Sequence, residues 1–241
     1  MLRGENVSKN FGGISALIHV DFHVDKGEIA GLIGPNGSGK STLFNVITKL
    51  LHQDGGSLFF EDRDITRMKP HEVCELGIAR TFQEVRTFKE MTALENVLAG
   101  IYFRHRGLAV GKAHQIEEAE QLLKEVGLVA KENLPAKELS LVEQRKLEVA
   151  RALALRPKLL LLDEVLAGLI PKEVEQTLDM IRRIKESLSL TLFIIEHNIK
   201  ALAKLCGRIM VLNYGEKIAE GRPSEVVANP AVIQAYLGGT Y

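Results

Sequence analysis

The chain has 241 residues, 46% of them hydrophobic, which is enough for one large domain or for a core carrying a subdomain. Its 31 basic residues balance 31 acidic ones, so the charge excess expected of a nucleic-acid or anionic-membrane partner is absent. The two cysteines, Cys74 and Cys206, show no CxxC or Cys/His ligand spacing, the N-terminus MLRGENVSKNFGG lacks the apolar stretch of a secretory signal, and no run is long enough to span a bilayer. The expectation is a cytoplasmic chain with reduced, buried thiols and no direct membrane insertion.

From Val7 to Val24 the pattern reads as short strands broken by Gly12 and Gly13, and GEIAGLIG (27–34) as a buried strand with glycine at both ends. KSTLFNVITKLL (40–51) has the periodicity of a helix, and a strand resumes in DGGSLFF. Residues 85–155 change character. ALENVLAG, HQIEEAEQLLKEVGL and LVEQRKLEVARALAL are helical in period with no convincing strand between them, so this stretch is expected to be a helical subdomain, leaving 1–84 and 156–241 as the core. KLLLLDE (158–164) and LTLFIIEH (190–197) are continuous apolar runs of the kind buried on both faces in a parallel sheet, with helical crossovers between them. RIMVLNYGEKIAEG predicts a late hairpin turning around Asn213–Glu216, and PSEVVANPAVIQAYLG two short helices.

The segment GPNGSGKS, Gly34 to Ser41, matches GxxxxGK[ST] in full between a predicted strand and a predicted helix, the context this phosphate-binding loop requires. The glycines Gly34, Gly37 and Gly39 let the backbone curl so that its N–H groups, those of Asn36 and Ser38 included, point inward at phosphates. Lys40 would reach the β- and γ-phosphates of a nucleotide, the Ser41 hydroxyl would ligate Mg²⁺, and Thr42 would add an α-phosphate contact. Asp163, ending an apolar strand, is placed for the Mg²⁺ shell, and Glu164 for taking a proton from an attacking water. Adjacent carboxylates after a strand mean little alone; with the loop they agree. His197 closes the next apolar run, where a histidine serves either as a structural hydrogen bonder or as a γ-phosphate and water contact. Gln83 in ARTFQEV could sense water or metal, or cap a loop. Ser140 and Glu143 in KELSLVEQRK stand at the spacing of a capping box, and a serine at a helix start can also hold a phosphate.

The order of phosphate loop, TFQ segment, LS-containing helix start, LLLLDE and IIEH resembles the nucleotide-binding subunit of ATP-binding cassette (ABC) transporters over almost the whole chain. Within that family, GIARTFQEVRTFKEMTALENVLAG and the ending NPAVIQAYLGG are similar to the LivG type of branched-chain amino acid importers. The resemblance implies an α/β fold: a P-loop NTPase core with a mostly parallel sheet, an N-terminal antiparallel β subdomain and a helical subdomain. It implies ATP and Mg²⁺ as cofactors, with Phe11 stacking on adenine and Gln83 joining Ser41 and Asp163 around the metal. Gln83 would also link the γ-phosphate site to the helical subdomain, making EVRTFKEMT (84–92) the docking surface for transmembrane permease subunits. The protein would lie peripherally on the cytoplasmic face of the cell membrane, paired with a second ABC subunit, either a copy of itself or a LivF-type partner.

The family's LSGGQ-like helix start, which touches the γ-phosphate of the facing subunit, reads here Leu139, Ser140, Leu141, Val142, Glu143. Both glycines are gone, and a β-branched residue and a carboxylate stand where a backbone approaches phosphate. Val165 replaces the usual Pro after Asp163 and Glu164, and Ile170 the usual Asp or Asn of the interface loop. These departures at 139–144, 165 and 170 suggest an asymmetric ATPase whose own P-loop works with another subunit's signature helix. The competing readings are a nucleotide-binding regulatory subunit with little hydrolysis, which Val142, Val165 and Ile170 favour and the retained Glu164 and His197 oppose, and a soluble non-transport ABC ATPase, which the lack of a second cassette or coiled-coil insertion opposes. The transported solute is not legible in this chain.

Overall fold

Residues 1–106 and 111–237 are described by the structure, a computed structural model. In chain order the strands and helices are β1 (Leu2–Phe11), β2 (Ile14–Val24), β3 (Ile29–Ile33), α1 (Lys40–Ile47), β4 (Gly55–Phe60), β5 (Arg63–Asp64), α2 (Pro70–Leu76), β6 (Ile78–Arg80), α3 (Ala93–Arg104), α4 (Lys112–Glu125), α5 (Leu141–Leu153), β7 (Leu159–Asp163), α6 (Pro171–Ser187), β8 (Thr191–Ile195), α7 (Ile199–Leu202), β9 (Arg208–Asn213), β10 (Glu216–Gly221), α8 (Pro223–Ala228) and α9 (Pro230–Leu237). They form two units, one from Met1–Leu76 together with the chain from Thr191 onward, the other from Gly77–Leu190.

In the first unit, β1 and β2 form an antiparallel hairpin closed by Gly12 and Gly13, with Phe11 opposite Ile14, and β4 pairs along the other edge of β1. The strands are longer than the periodicity suggested, because shifts in register let polar residues face solvent without ending the ladder. The expected N-terminal antiparallel subdomain is therefore present. Beside it, β3 runs parallel to both β8 and β9, and β9 turns back into β10 through Tyr214 and Gly215. Both turn residues have positive φ, 47° and 83°, as a two-residue hairpin turn demands. Phe22, Phe44 and Phe193 bring the sheet and α1 together, their ring centroids 5.2 Å apart for Phe44 and Phe193 and 6.3 Å for Phe22 and Phe193.

Helix α1 is shorter than the predicted 40–51. The Thr48 hydroxyl donates back to the Phe44 carbonyl at 2.8 Å, and Lys49 turns left-handed at φ 60°. Its buried ammonium donates to Gln53 and to the Thr66 carbonyl, each at 3.0 Å, a tertiary reward that outweighs further helix.

In the second unit, β6 pairs in parallel with β7, Ile78 opposite Leu159 and Arg80 opposite Leu161. Between these strands the described residues hold α3, α4, α5 and a short 3₁₀ turn, with no strand. Helix α3 starts in a reciprocal cap: the Thr92 hydroxyl accepts from Glu95 N, and Glu95 accepts from Thr92 N at 2.8 Å. Glu118 of α4 ties the bundle together by pairing with Arg104 and Arg156. Among the described residues no helix is long and apolar enough to cross a membrane.

Candidate nucleotide site

Gly34 follows directly after β3, and its backbone is pressed so closely against its surroundings that a Cβ there would stand 2.1 Å from the Leu212 carbonyl oxygen and 2.4 Å from Ser38 Oγ. Gly39, at φ 105°, would put a Cβ 2.4 Å from the Ala16 carbonyl. Both positions accept only glycine, so the spacing of the motif is a steric requirement. The β9–β10 turn braces the loop from behind, Gly215 N donating to the Ser38 carbonyl at 3.0 Å. Lys40, the first residue of α1, is almost fully buried, and its ammonium bridges the loop by donating to the Gly34 carbonyl at 2.8 Å and the Pro35 carbonyl at 2.9 Å.

The first turn of α1 contains no acidic residue, so no carboxylate of that turn competes with an anion for its N-terminal amides. Ser38 Oγ is buried without a hydrogen-bond partner. Asn36 and Gly37 are exposed, and Ser41 and Thr42 are half-buried on the first turn. In the parallel register Leu32 of β3 faces Ile195 of β8, so Gly34 and His197 leave neighbouring strands at the same level. His197 is exposed there, and Phe11, at the end of β1, is 46% exposed with the Lys9 ammonium 5.6 Å over its ring.

The second unit groups Gln83, Asp163 and Glu164. Asp163 ends β7 almost wholly buried, and its Oδ2 accepts from Arg80 at 2.8 Å. Its backbone N–H donates to the buried Thr81 hydroxyl at 3.1 Å. Burial lowers the Arg80 pKa, and Asp163 opposes that shift. Glu164 takes the left-handed conformation, φ 50°, which turns its side chain out of the strand alternation. There Gln83 Nε2 donates to Glu164 Oε2 at 3.0 Å, and Arg145 of α5 donates to the Glu164 carbonyl. The sequence pointed to Gln83, Asp163 and Glu164 but not to Arg80 or Arg145; the available signal was Arg80 at the end of the apolar stretch GIAR.

Ser140 caps α5. Its hydroxyl accepts from Glu143 N at 3.4 Å, and Glu143 Oε2 accepts from Ser140 N at 3.0 Å. Lys131 pairs with the other carboxylate oxygen and, with the Ser140 groups, holds the Glu143 carboxyl below its ordinary pKa. The capping box is thus formed, with a negative charge at the helix start. Val142 and Val165 line one small cleft with Val149, Leu169 and Met180. Two of the family departures therefore belong to a single packing arrangement. Ile170 is 59% exposed just before α6, its N–H donating to Glu173 at 3.0 Å.

A phosphate loop opening a helix beside parallel strands, and a strand ending in Asp-Glu, define a P-loop ATPase of the cassette type. The ABC transporter family model matches residues 17–167, and the chain belongs to that family. A second model, for branched-chain amino acid ATP-binding cassette transporters, matches residues 216–241. The chain is 36% identical over 250 residues to the high-affinity branched-chain amino acid transport ATP-binding protein BraF of Pseudomonas aeruginosa, covering 99% of this chain and 98% of BraF. It is 34% identical over 252 residues to LivG of Escherichia coli, with coverages of 99% and 98%. Among solved structures it is similar to MJ1267, an ATP-binding cassette of an ABC transporter in its ADP conformation, with a TM-score of 0.89, 36% identity, and 99% of this chain and 98% of that one covered. It is also similar to the dimeric bacterial cassette MJ0796, with a TM-score of 0.85, 29% identity, and coverages of 92% and 99%. The expected resemblance to LivG-type subunits holds over nearly the full chain.

Proposed function

We propose that this chain binds and hydrolyses Mg–ATP to energise an importer of branched-chain amino acids, working in a dimer with a LivF-type subunit on the cytoplasmic face of the membrane. The observation that carries the reading is the P-loop built around Gly34, Gly39 and the buried Lys40. Backbone amides of Gly34, Asn36, Gly37, Ser38 and Gly39, with Lys40, hold the β- and γ-phosphates; Thr42 meets the α-phosphate, and Phe11 offers its exposed ring to adenine. Ser41 in the first unit, and Asp163 and Gln83 in the second, carry the oxygen donors Mg²⁺ takes and would hold it, with the Gln83 amide nitrogen donating to Glu164. Bound Mg²⁺ would neutralise charge on the phosphate oxygens during transfer. Glu164 accepts the proton of the attacking water, and His197 orients it.

Preference for an unlike partner follows from the start of α5. Its cap is occupied by Glu143, whose charge repels a polyphosphate, and Ser140 spends its hydroxyl on that cap. The site completed by another subunit's signature helix is then the active one. Segment 84–92, with Phe88 half exposed, faces the permease. The test is steady-state Mg–ATP hydrolysis by this chain mixed with a LivF-type partner whose P-loop lysine is disabled. Turnover that disappears with Glu164→Gln in this chain supports the reading; a formed, nucleotide-bound dimer with no turnover makes the chain a regulatory subunit.

A further inference from the structure

Residues 82–88 have no regular secondary structure, yet Gln83 sits within hydrogen-bond distance of Glu164. The segment therefore needs an external support, and α5 provides one. The Glu148 side chain, 5% exposed, uses one oxygen, Oε1, to accept both Phe82 N and Arg86 N at 3.3 Å each. These amides flank Gln83, Glu84 and Val85, so a single carboxylate oxygen closes the loop at both ends.

One turn along the same face of α5, Arg151 donates to the Arg86 carbonyl and lies 4.6 Å over the Phe88 ring. One turn in the other direction is Arg145, bonded to the Glu164 carbonyl. Asn96 of α3, fully buried, fixes the far end: its Oδ1 accepts Phe88 N at 2.9 Å and its Nδ2 donates to the Phe88 carbonyl at 3.0 Å. A carboxyl group buried at a helix position between apolar neighbours is costly unless it satisfies other groups, and here it accepts from the two loop amides.

We propose that Glu148 is a positioning residue for the ATPase reaction: by closing the 82–86 loop it sets Gln83 against Glu164 and ties that contact to helix α5. The inference rests on the roles proposed above for Gln83 and Glu164. An acceptor at Oε1 is what the geometry requires, so a glutamine should serve and a methionine of similar size should not.

Hydrogen exchange of the full-length, nucleotide-free chain tests loop closure without reference to catalysis. In Glu148→Met the amides of Phe82 and Arg86 should exchange about tenfold faster, the factor one lost buried hydrogen bond allows, while those of α4 stay unchanged. Glu148→Gln should match the wild type. Equal exchange in all three proteins, or equal acceleration in both variants, overturns the proposal. If the methionine variant unfolds, Glu148→Asp replaces it, since the shorter side chain withdraws the acceptor and should accelerate the same two amides; no acceleration there overturns the proposal.

The second readout is turnover with the LivF-type partner. Glu148→Met should lower kcat about tenfold with KM for ATP within about twofold, and Glu148→Gln should restore it. Faster exchange with unchanged kcat would leave Glu148 holding the loop without positioning Gln83, which sinks the claim. If Glu164→Gln leaves turnover intact, the catalytic reading fails by itself, and exchange still decides whether Glu148 closes the loop.

Discussion

Glu164 is held in a left-handed backbone conformation by contacts to both its carbonyl and its side chain, which suits a group that must present a carboxylate at one position. Replacing it by Gln keeps the Gln83 contact available but removes the base. ATP turnover should fall by about 10²–10⁴-fold with nucleotide affinity little changed, as measured by steady-state hydrolysis and equilibrium binding. Arg80 poses a different question, because it is the cation beside the buried Asp163. Arg80→Met should destabilise the fold by about 3 kcal/mol, seen as a lower denaturant midpoint, since a buried carboxylate then loses the guanidinium beside it. Gly34→Ala should abolish nucleotide binding, because the added methyl meets the Leu212 backbone carbonyl, which cannot swing aside as a side chain can.

Helix α5 joins three tasks: a reciprocal cap at its start, contacts to Glu164 and the 82–88 segment along its middle, and a share in the small cleft that Val142 and Val165 line. Restoring the family residue by Val142→Gly should therefore cost about 1–2 kcal/mol in thermal unfolding, from a poorer helix former and a vacated cleft. With an intact partner the turnover at this chain's own P-loop should be unaffected by that change, which assays of the mixed dimer will check. KELSLVEQRK was legible as a capping box from residue spacing, because a cap is local chemistry. The role of Glu148 was not legible: LEVARAL reads as ordinary helix, and its acceptor function appears only when residues 82 and 86 are brought to it from across the chain.

Glu148 also links the charge state of the protein to its stability. Burial is the chief cause that raises its pKa from 4.5 to about 7, against the opposing pull of the two amides and of Arg151 and Arg145. Below the unfolded value both states hold the proton; as pH rises toward 7 the unfolded chain loses it first, so this group subtracts stability across that window, on the order of 3 kcal/mol at full effect. Glu148→Gln should become progressively more stable than the wild type between pH 5 and 8 in paired melting curves, and parallel curves would contradict the shift. On assembly, the self-capped α5 start predicts that Glu164→Gln with ATP stays monomeric alone and forms a stable dimer only with the LivF-type subunit, measured by light scattering after size exclusion.

The phosphate loop, the Asp163–Glu164 strand end, the helices between β6 and β7 and the late hairpin were all legible in the order of residues, because each depends on neighbours in the chain: glycine sterics, apolar runs, caps and turn chemistry. Tertiary structure alone decided the early stop of α1, set by Lys49 reaching Gln53 and Thr66, and the strand β6 that puts Arg80 on Asp163. It also decided that Val142 and Val165 share one cleft and that Glu148 closes the loop bearing Gln83. These arrangements join residues tens of positions apart, and neither periodicity nor spacing encodes which distant group will satisfy a buried charge or an unpaired amide.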